Sequence, residues 1–124
     1  MRLLLDTHSA LWFVGRDARL SNAARELLYD ASNEKLLSAA VAWEVAVKRA
    51  IGKLDAPKDV IDQALARGAV ELPMTIEHAE ASAALPWHHR DPFDRILIAQ
   101  AQAEDATLLT ADPRMRAYDV RTTW

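Results

Sequence analysis

Apolar residues in this chain fall in short, dense runs, and the lengths of those runs predict strands alternating with helices. Arg2 to Leu5 starts too abruptly for a helix and reads as a buried strand ending at Asp6. Asp6 or Thr7 then caps a helix carrying Ala10, Leu11, Phe13 and Val14, which Gly15 stops. A second helix runs from a Ser21 cap to about Tyr29, with Leu27 and Leu28 facing inward. After a turn at Asn33, Lys35 to Ser38 predicts a second strand and about Ala40 to Ile51 a third helix, with Gly52 placed for a left-handed end. Pro57 suits the first turn of a helix that bears Val60, Ile61, Ala64 and Leu65 and closes at Gly68. Val70 to Leu72 predicts a third strand, Thr75 to about Leu85 another helix, and Pro86 breaks it. The densest stretch follows: Pro92 to about Glu104 reads as a helix in which Ile96, Leu97, Ile98 and Ala99 leave almost no polar break. Thr107 to Thr110 and Val120 to Thr123 supply a fourth and a fifth strand, with a short turn at Pro113 between them.

This alternation predicts an α/β fold: three layers, α/β/α, around a central, mainly parallel sheet of about five short strands joined by right-handed crossovers. With 124 residues, 51% of them apolar, the chain reads as one domain spanning residues 1–124 with one core. It has no cysteine, which excludes a disulfide scaffold and a thiolate metal site and fits a reducing, cytoplasmic setting. Asp6 and His8 interrupt the N-terminal apolar run too early for a signal peptide, and nothing approaches the length of a membrane span. A net charge of −3 argues against a general polyanion binder. Clustered acids offset by a bound cation would change that balance.

In sheets of this kind the loops at the carboxyl ends of the strands gather at one edge, and that edge holds the site. Asp6 and Asp112 follow strands one and four, Glu44 lies within two turns of strand two, and Asp94 begins the helix that leads into strand four. Four acids are thus expected to converge. Crowded like charges must be partly protonated or neutralised by a cation, and an oxygen-only set favours Mg²⁺ or Mn²⁺. Each acid also has an ordinary structural explanation. Asp91 before Pro92 reads first as a helix cap with proline at the first helical position. Asp94 gains from the helix dipole at the third position, so a structural role weighs about as much as a chemical one there. Asp112 before Pro113 repeats the capping pattern. Glu44 could pair with Lys48 one turn on, although an exposed pair of that kind contributes only ~0.3–0.5 kcal/mol, and its neighbours Val41, Trp43, Val45 and Val47 are apolar. Asp6 is the hardest to explain structurally, since an acid ending a buried strand is costly unless bonded or coordinated.

These residues carry a resemblance. The segments LLLDTH (3 to 8), WEVAVKRAIGKL (43 to 54), LP (72 to 73), HHRDPFDRILIAQA (88 to 101) and LLTAD (108 to 112) are similar, in order and over nearly the whole chain, to PIN-domain ribonucleases, and within them to the VapC-type toxins of bacterial toxin–antitoxin pairs. The DPFDR block and the WE helix ending in GKL are specific together. In SAAVA, ahead of the WE pair, Val41 stands where related sequences often carry a second small hydroxyl residue, a departure that bears on a helix cap or polar contact and not on a metal ligand. The resemblance implies a PIN-like fold, a usual homodimer and a metal-dependent endoribonuclease. Its acids map onto Asp6, Glu44, Asp94 and Asp112, both as metal ligands and as catalytic groups. It also implies a protein antitoxin, with operator DNA met only through it, and products bearing a 5′-phosphate and a 3′-hydroxyl.

On that reading, Mg²⁺ or Mn²⁺ held by Asp6, Asp94 and Glu44 activates water against an RNA phosphodiester, Asp112 holds a metal-bound water or a second ion, and Thr7 or Thr110 orients a ligand. Lys48, Arg49, Arg90, Arg95, Arg114 and Arg116 lie close enough in sequence to hold phosphates, although each taken singly reads more readily as a solvated charge or a partner for an acid. His88 and His89 lack the spacing of a helical ligand pair and are assigned to loop packing or RNA contact. Trp12, Trp43, Trp87 and Trp124 could stack bases, with Trp43 the best candidate for the core. Leu11, Trp12 and Phe13 suggest a dimer face or a groove for an antitoxin segment. Three rivals are a PIN-fold binding module that has lost catalysis and acts through a partner, a dehalogenase-like phosphatase and a dinucleotide-binding fold. The phosphatase would need a second aspartate two residues after Asp6, where His8 stands, and the dinucleotide fold a glycine-rich turn after strand one, which the three glycines do not make.

Overall fold

The computed structural model describes residues 1–124. Its elements, in chain order, are β1 (Arg2–Leu5), α1 (Thr7–Gly15), α2 (Asn22–Tyr29), β2 (Glu34–Ser38), α3 (Ala39–Ala50), α4 (Val60–Ala66), β3 (Val70–Leu72), α5 (Ile76–Ala84), α6 (Pro92–Ala103), β4 (Thr107–Leu109), a 3₁₀ turn (Pro113–Ala117) and β5 (Thr122–Thr123). The five strands form one parallel sheet in the order β3-β2-β1-β4-β5. Leu4 sits opposite Leu36 on one side and Leu108 on the other, which makes β1 the central strand. Leu3, Leu4 and Leu5 have no exposed surface, which is why that strand reads as an unbroken apolar run and not as an alternation.

Helices flank the sheet on the pattern expected of an α/β layer fold. Helix α1 packs against α3 and α4, α5 packs along α6, and α3 also meets α6. Helix α6 is buried from Arg95 through Ala101 and is therefore apolar nearly all round. Its one fully buried amide, Gln100, is satisfied: Ser38 Oγ donates to Oε1 at 2.6 Å and Nε2 reaches the Pro73 carbonyl at 3.3 Å. Strand order reverses between β1 and β4, where successive connections leave in opposite directions, and a crevice opens at the carboxyl ends of those two strands.

Several boundaries differ from the sequence reading for identifiable reasons. Helix α1 runs through Gly15, and the left-handed residue that ends it is Arg16 (φ 51°), with the Asp17 N–H closing onto the Trp12 carbonyl at 2.9 Å. Pro57 belongs to a preceding turn whose carbonyl accepts from Val60, so α4 begins three residues later. Strand β4 stops at Leu109, and the hydroxyl of Thr110 turns to Asp6. Strand β5 shrinks to two residues. Trp43 is 54% exposed and is not a core residue, because α3 buries Ala40, Val41, Glu44 and Val45 instead. Phe13 is core, at 2% exposure, and only Leu11 and Trp12 of that trio border a groove, together with Leu54 and Val60. Ser38 caps α3 by accepting from the Ala40 N–H, so Val41 leaves no cap missing. No helix is long and apolar enough to cross a membrane.

Candidate active site

At the crevice a cleft of about 390 Å³ is lined by Asp6, Glu44, Asp94 and Asp112, together with Asp91, Lys48 and Arg114. Each acid arrives by a different local device. Asp6 ends β1 and caps α1: its Oδ1 accepts the Ser9 N–H at 2.8 Å, and its Oδ2 accepts the Thr110 hydroxyl at 2.5 Å. Only 7% of Asp6 is exposed, and burial raises its carboxyl above the usual aspartate range even against these two bonds. Glu44 projects from the second turn of α3, where the Thr7 hydroxyl and the Lys48 ammonium both donate to it, the latter at 2.5 Å. Its carboxylate in turn holds the Lys48 ammonium above its ordinary value.

Asp94 stands in the first turn of α6. Burial pushes its carboxyl up to about 6, the nearby charges of Asp91 and Glu44 add to the rise, and a 2.7 Å bond to His89 Nε2 opposes it. Asp91 is the cap of α6, with Oδ1 accepting from the Phe93 and Asp94 N–H groups at 2.8 and 3.3 Å. Asp112 caps the 3₁₀ turn through the Arg114 N–H and also grips the Arg114 guanidinium, with Oδ2 to Nη2 at 2.7 Å. That contact holds its carboxyl below the usual range.

The four acids therefore divide. Glu44 and Asp112 have a lysine and an arginine respectively, whereas neither Asp6 nor Asp94 has either. The donor set around the cleft is carboxylate and hydroxyl oxygen with two imidazoles, His8 in its lining and His89 beside Asp94, a chemistry that suits a hard divalent cation. His89, Asp91 and Asp94 each bring one ligand atom within 4.8 Å of the others, so the imidazole assigned from sequence to packing or RNA contact also stands among the acids. The adjacent-histidine pattern gave no hint of this, because the loop and not a helical spacing delivers His89. Ser9, whose N–H and hydroxyl tie Asp6 and the Leu109 carbonyl together, also gave no sequence signal.

Most of the cations near the acids are engaged within the fold: Lys48 and Arg114 pair with acids, and Arg49 holds the Pro57 carbonyl. Arg95 departs furthest from expectation. It is 3% exposed, facing the protein interior and not an RNA backbone. Arg90 and Arg116 remain exposed.

A parallel five-stranded sheet with acids gathered at its switch point is a PIN-domain arrangement, and the chain belongs to the PIN domain family, whose model matches residues 3–121. Within that family it is similar to Ribonuclease VapC22 of Mycobacterium tuberculosis, 32% identical in an alignment 120 residues long that covers 94% of this chain and 91% of that protein. Two solved complexes share the fold at low identity. VapBC2 from Rickettsia felis, bound to a DNA fragment from its promoter, superposes with a TM-score of 0.72 at 14% identity over 99% of this chain and 98% of that one. DNA-bound VapBC from Salmonella typhimurium gives 0.72 at 13%, over 99% and 97%.

Proposed function

We propose that this chain is a divalent-metal-dependent endoribonuclease, Mg²⁺ or Mn²⁺ being the ion, and the toxin of a toxin–antitoxin pair. The observation that carries the reading is the pair Asp6 and Asp94: two buried or half-buried carboxyls with raised proton affinity and no lysine or arginine, in a chain of the PIN family. Asp6, Asp94 and Glu44 would hold the ion, with Asp112 at the rim supporting a water or a second ion. When bound, such an ion lowers the pKa of water and stabilises charge on a leaving oxygen. The chain's own groups do the rest. Thr110 and the Ser9 N–H fix the two oxygens of Asp6, Thr7 fixes Glu44, and the site lies at the open edge of the sheet where a strand of RNA can enter. Water adds to phosphorus, the bond to the 3′ oxygen breaks, and that oxygen takes a proton, leaving a 3′-hydroxyl and a 5′-phosphate.

A protein antitoxin is the proposed partner, with operator DNA met only through it; DNA-bound VapBC complexes of Rickettsia felis and Salmonella typhimurium, which share the fold, support the choice of partner. A homodimer, a cytoplasmic location and one domain over residues 1–124 complete the reading. The purified chain, incubated with a structured RNA pool and either ion, is expected to cut it with 5′-phosphate ends. Chelator and Asp94→Asn are each expected to abolish the cut. An ion-independent cut, or an Asp94→Asn chain that cuts like the parent, would overturn the mechanism, and no cut at all with intact metal binding would favour a binding module.

A further inference from the structure

One residue after Asp94, a guanidinium lies inside the protein with no carboxylate beside it. Arg95 spreads its donors over main-chain carbonyls: Ser82 at 2.7 Å, Pro86 at 2.8 Å, Leu85 at 2.9 Å and His89 at 3.3 Å, with the Tyr118 hydroxyl at 3.4 Å. Trp87 covers its outer face, with the ring centre 3.7 Å from the guanidinium carbon. The Ser82 carbonyl is one that the end of α5 leaves without a helical partner, and the others belong to the segment that carries the chain into α6. Burying a cation without an acid is costly, and filling space alone would not require its fork of donors. The fork ties the end of α5 to the loop that follows it.

That loop passes through His89, whose backbone is held at both its N–H and its carbonyl. The Tyr118 hydroxyl accepts the His89 N–H at 2.9 Å and donates to the His89 carbonyl at 3.2 Å, while Arg95 donates to the same carbonyl. With its backbone clamped, the His89 ring has one outlet: Nε2 meets Asp94 Oδ2 at 2.7 Å. With its proton on Nε2 the ring donates to Oδ2, and Asp94 Oδ1 is left for the cleft.

We propose that Arg95 and Tyr118 are positioning residues: they lock the His89 peptide so that its imidazole holds one oxygen of Asp94 and presents the other to the metal-dependent reaction. The proposal rests on the nuclease reading of the same cleft. Neither residue touches substrate; both act through His89.

The decisive variant is Tyr118→Phe, which keeps the ring that packs edge-on to His88 and deletes only the hydroxyl. Single-turnover RNA cleavage at saturating Mn²⁺ is expected to fall about tenfold in Tyr118→Phe and in His89→Ala. The double variant is expected to be no slower than His89→Ala alone, because apart from a long 3.4 Å contact with Arg95 the bonds of the hydroxyl go to His89. Independent, multiplying losses would overturn the proposal. Arg95→Lys keeps the charge but not the fork and is expected to lose at least as much as Tyr118→Phe; should it fail to fold, Tyr118→Phe decides alone. Imidazole ¹⁵N spectra, with His89 assigned from His89→Ala, give a readout that needs no activity. The His89 Nε2 resonance is expected to move in both Tyr118→Phe and Asp94→Asn. If the parent chain neither cuts RNA nor binds Mn²⁺, the nuclease reading fails by itself, and a His89 resonance unmoved by Tyr118→Phe would still overturn the clamp.

Discussion

The inner and outer walls of the cleft hold the same kind of group in opposite states. On the inner wall Asp6 and Asp94 are desolvated, bonded to hydroxyl, amide and imidazole donors, and raised in proton affinity. On the rim Asp112 is bound by Arg114, its proton affinity is lowered, and its charge is already balanced. Glu44 lies between the two, buried like the first pair yet matched to Lys48 like the last. Burial without a cation leaves a carboxyl that must keep its proton or be offset from outside the chain, whereas a pair at the rim is complete in itself. This asymmetry, more than the count of acids, locates where an ion would sit.

The contrast can be broken from the inside outwards. The largest effect is expected from Asp6→Asn, which removes a buried charge with no internal partner: RNA cleavage should drop by about three orders of magnitude, and Mn²⁺ titration should show matching loss of binding. Thr110→Val deletes the donor to Asp6 Oδ2 without touching the carboxylate, and should weaken Mn²⁺ binding by about 10- to 100-fold.

A smaller effect is readable without metal. Folded Asp94 keeps its proton up to about pH 6, whereas an unfolded aspartate releases it near 3.8, so the folded state binds more protons between those values. Stability contributed at low pH is therefore lost as pH rises through that window. Denaturant unfolding at pH 4 and pH 7 should differ by about 1–2 kcal/mol more in the parent than in Asp94→Asn, the full shift being discounted because the group is partly exposed. The smallest effect is expected at the rim. Arg114→Ala should leave denaturant unfolding close to that of the parent, since the pair it breaks is solvent-exposed, and a loss of cleavage as large as that of Asp6→Asn would place Asp112 with the inner pair.

The fold was legible because its strongest elements are buried on all sides. Leu3 to Leu5 and Ile96 to Ala99 are apolar without interruption, and no exposed arrangement suits them. The convergence of acids followed from their places after strands and at helix starts. What escaped was decided by tertiary contact. Arg95 follows an aspartate at a helix start, and nothing local marks it as buried; its acceptors come from the end of α5, the loop after it and Tyr118. Trp43 reads as core because its neighbours are apolar, yet the face of α3 that turns inward belongs to Glu44 and Val45. Gly15 was the natural end of α1, but the Asp17 N–H closing onto Trp12 places the reversal on Arg16, at a conformation that side chains rarely accept.

The central position of β1 has a temporal consequence. Its first partner, β2, follows within the same third of the chain, but its second, β4, comes more than a hundred residues later, as does the Thr110 hydroxyl bonded to Asp6, 104 residues away. Pairings that distant form slowly and late. Synthesis proceeds from the N-terminus, so Asp6 is made first and waits for Asp94, Thr110 and Asp112, all from the last quarter of the chain. An unfinished chain thus carries the first acid of the cleft but not the cleft itself, and the assembled acid cluster exists only after Asp112 has been made.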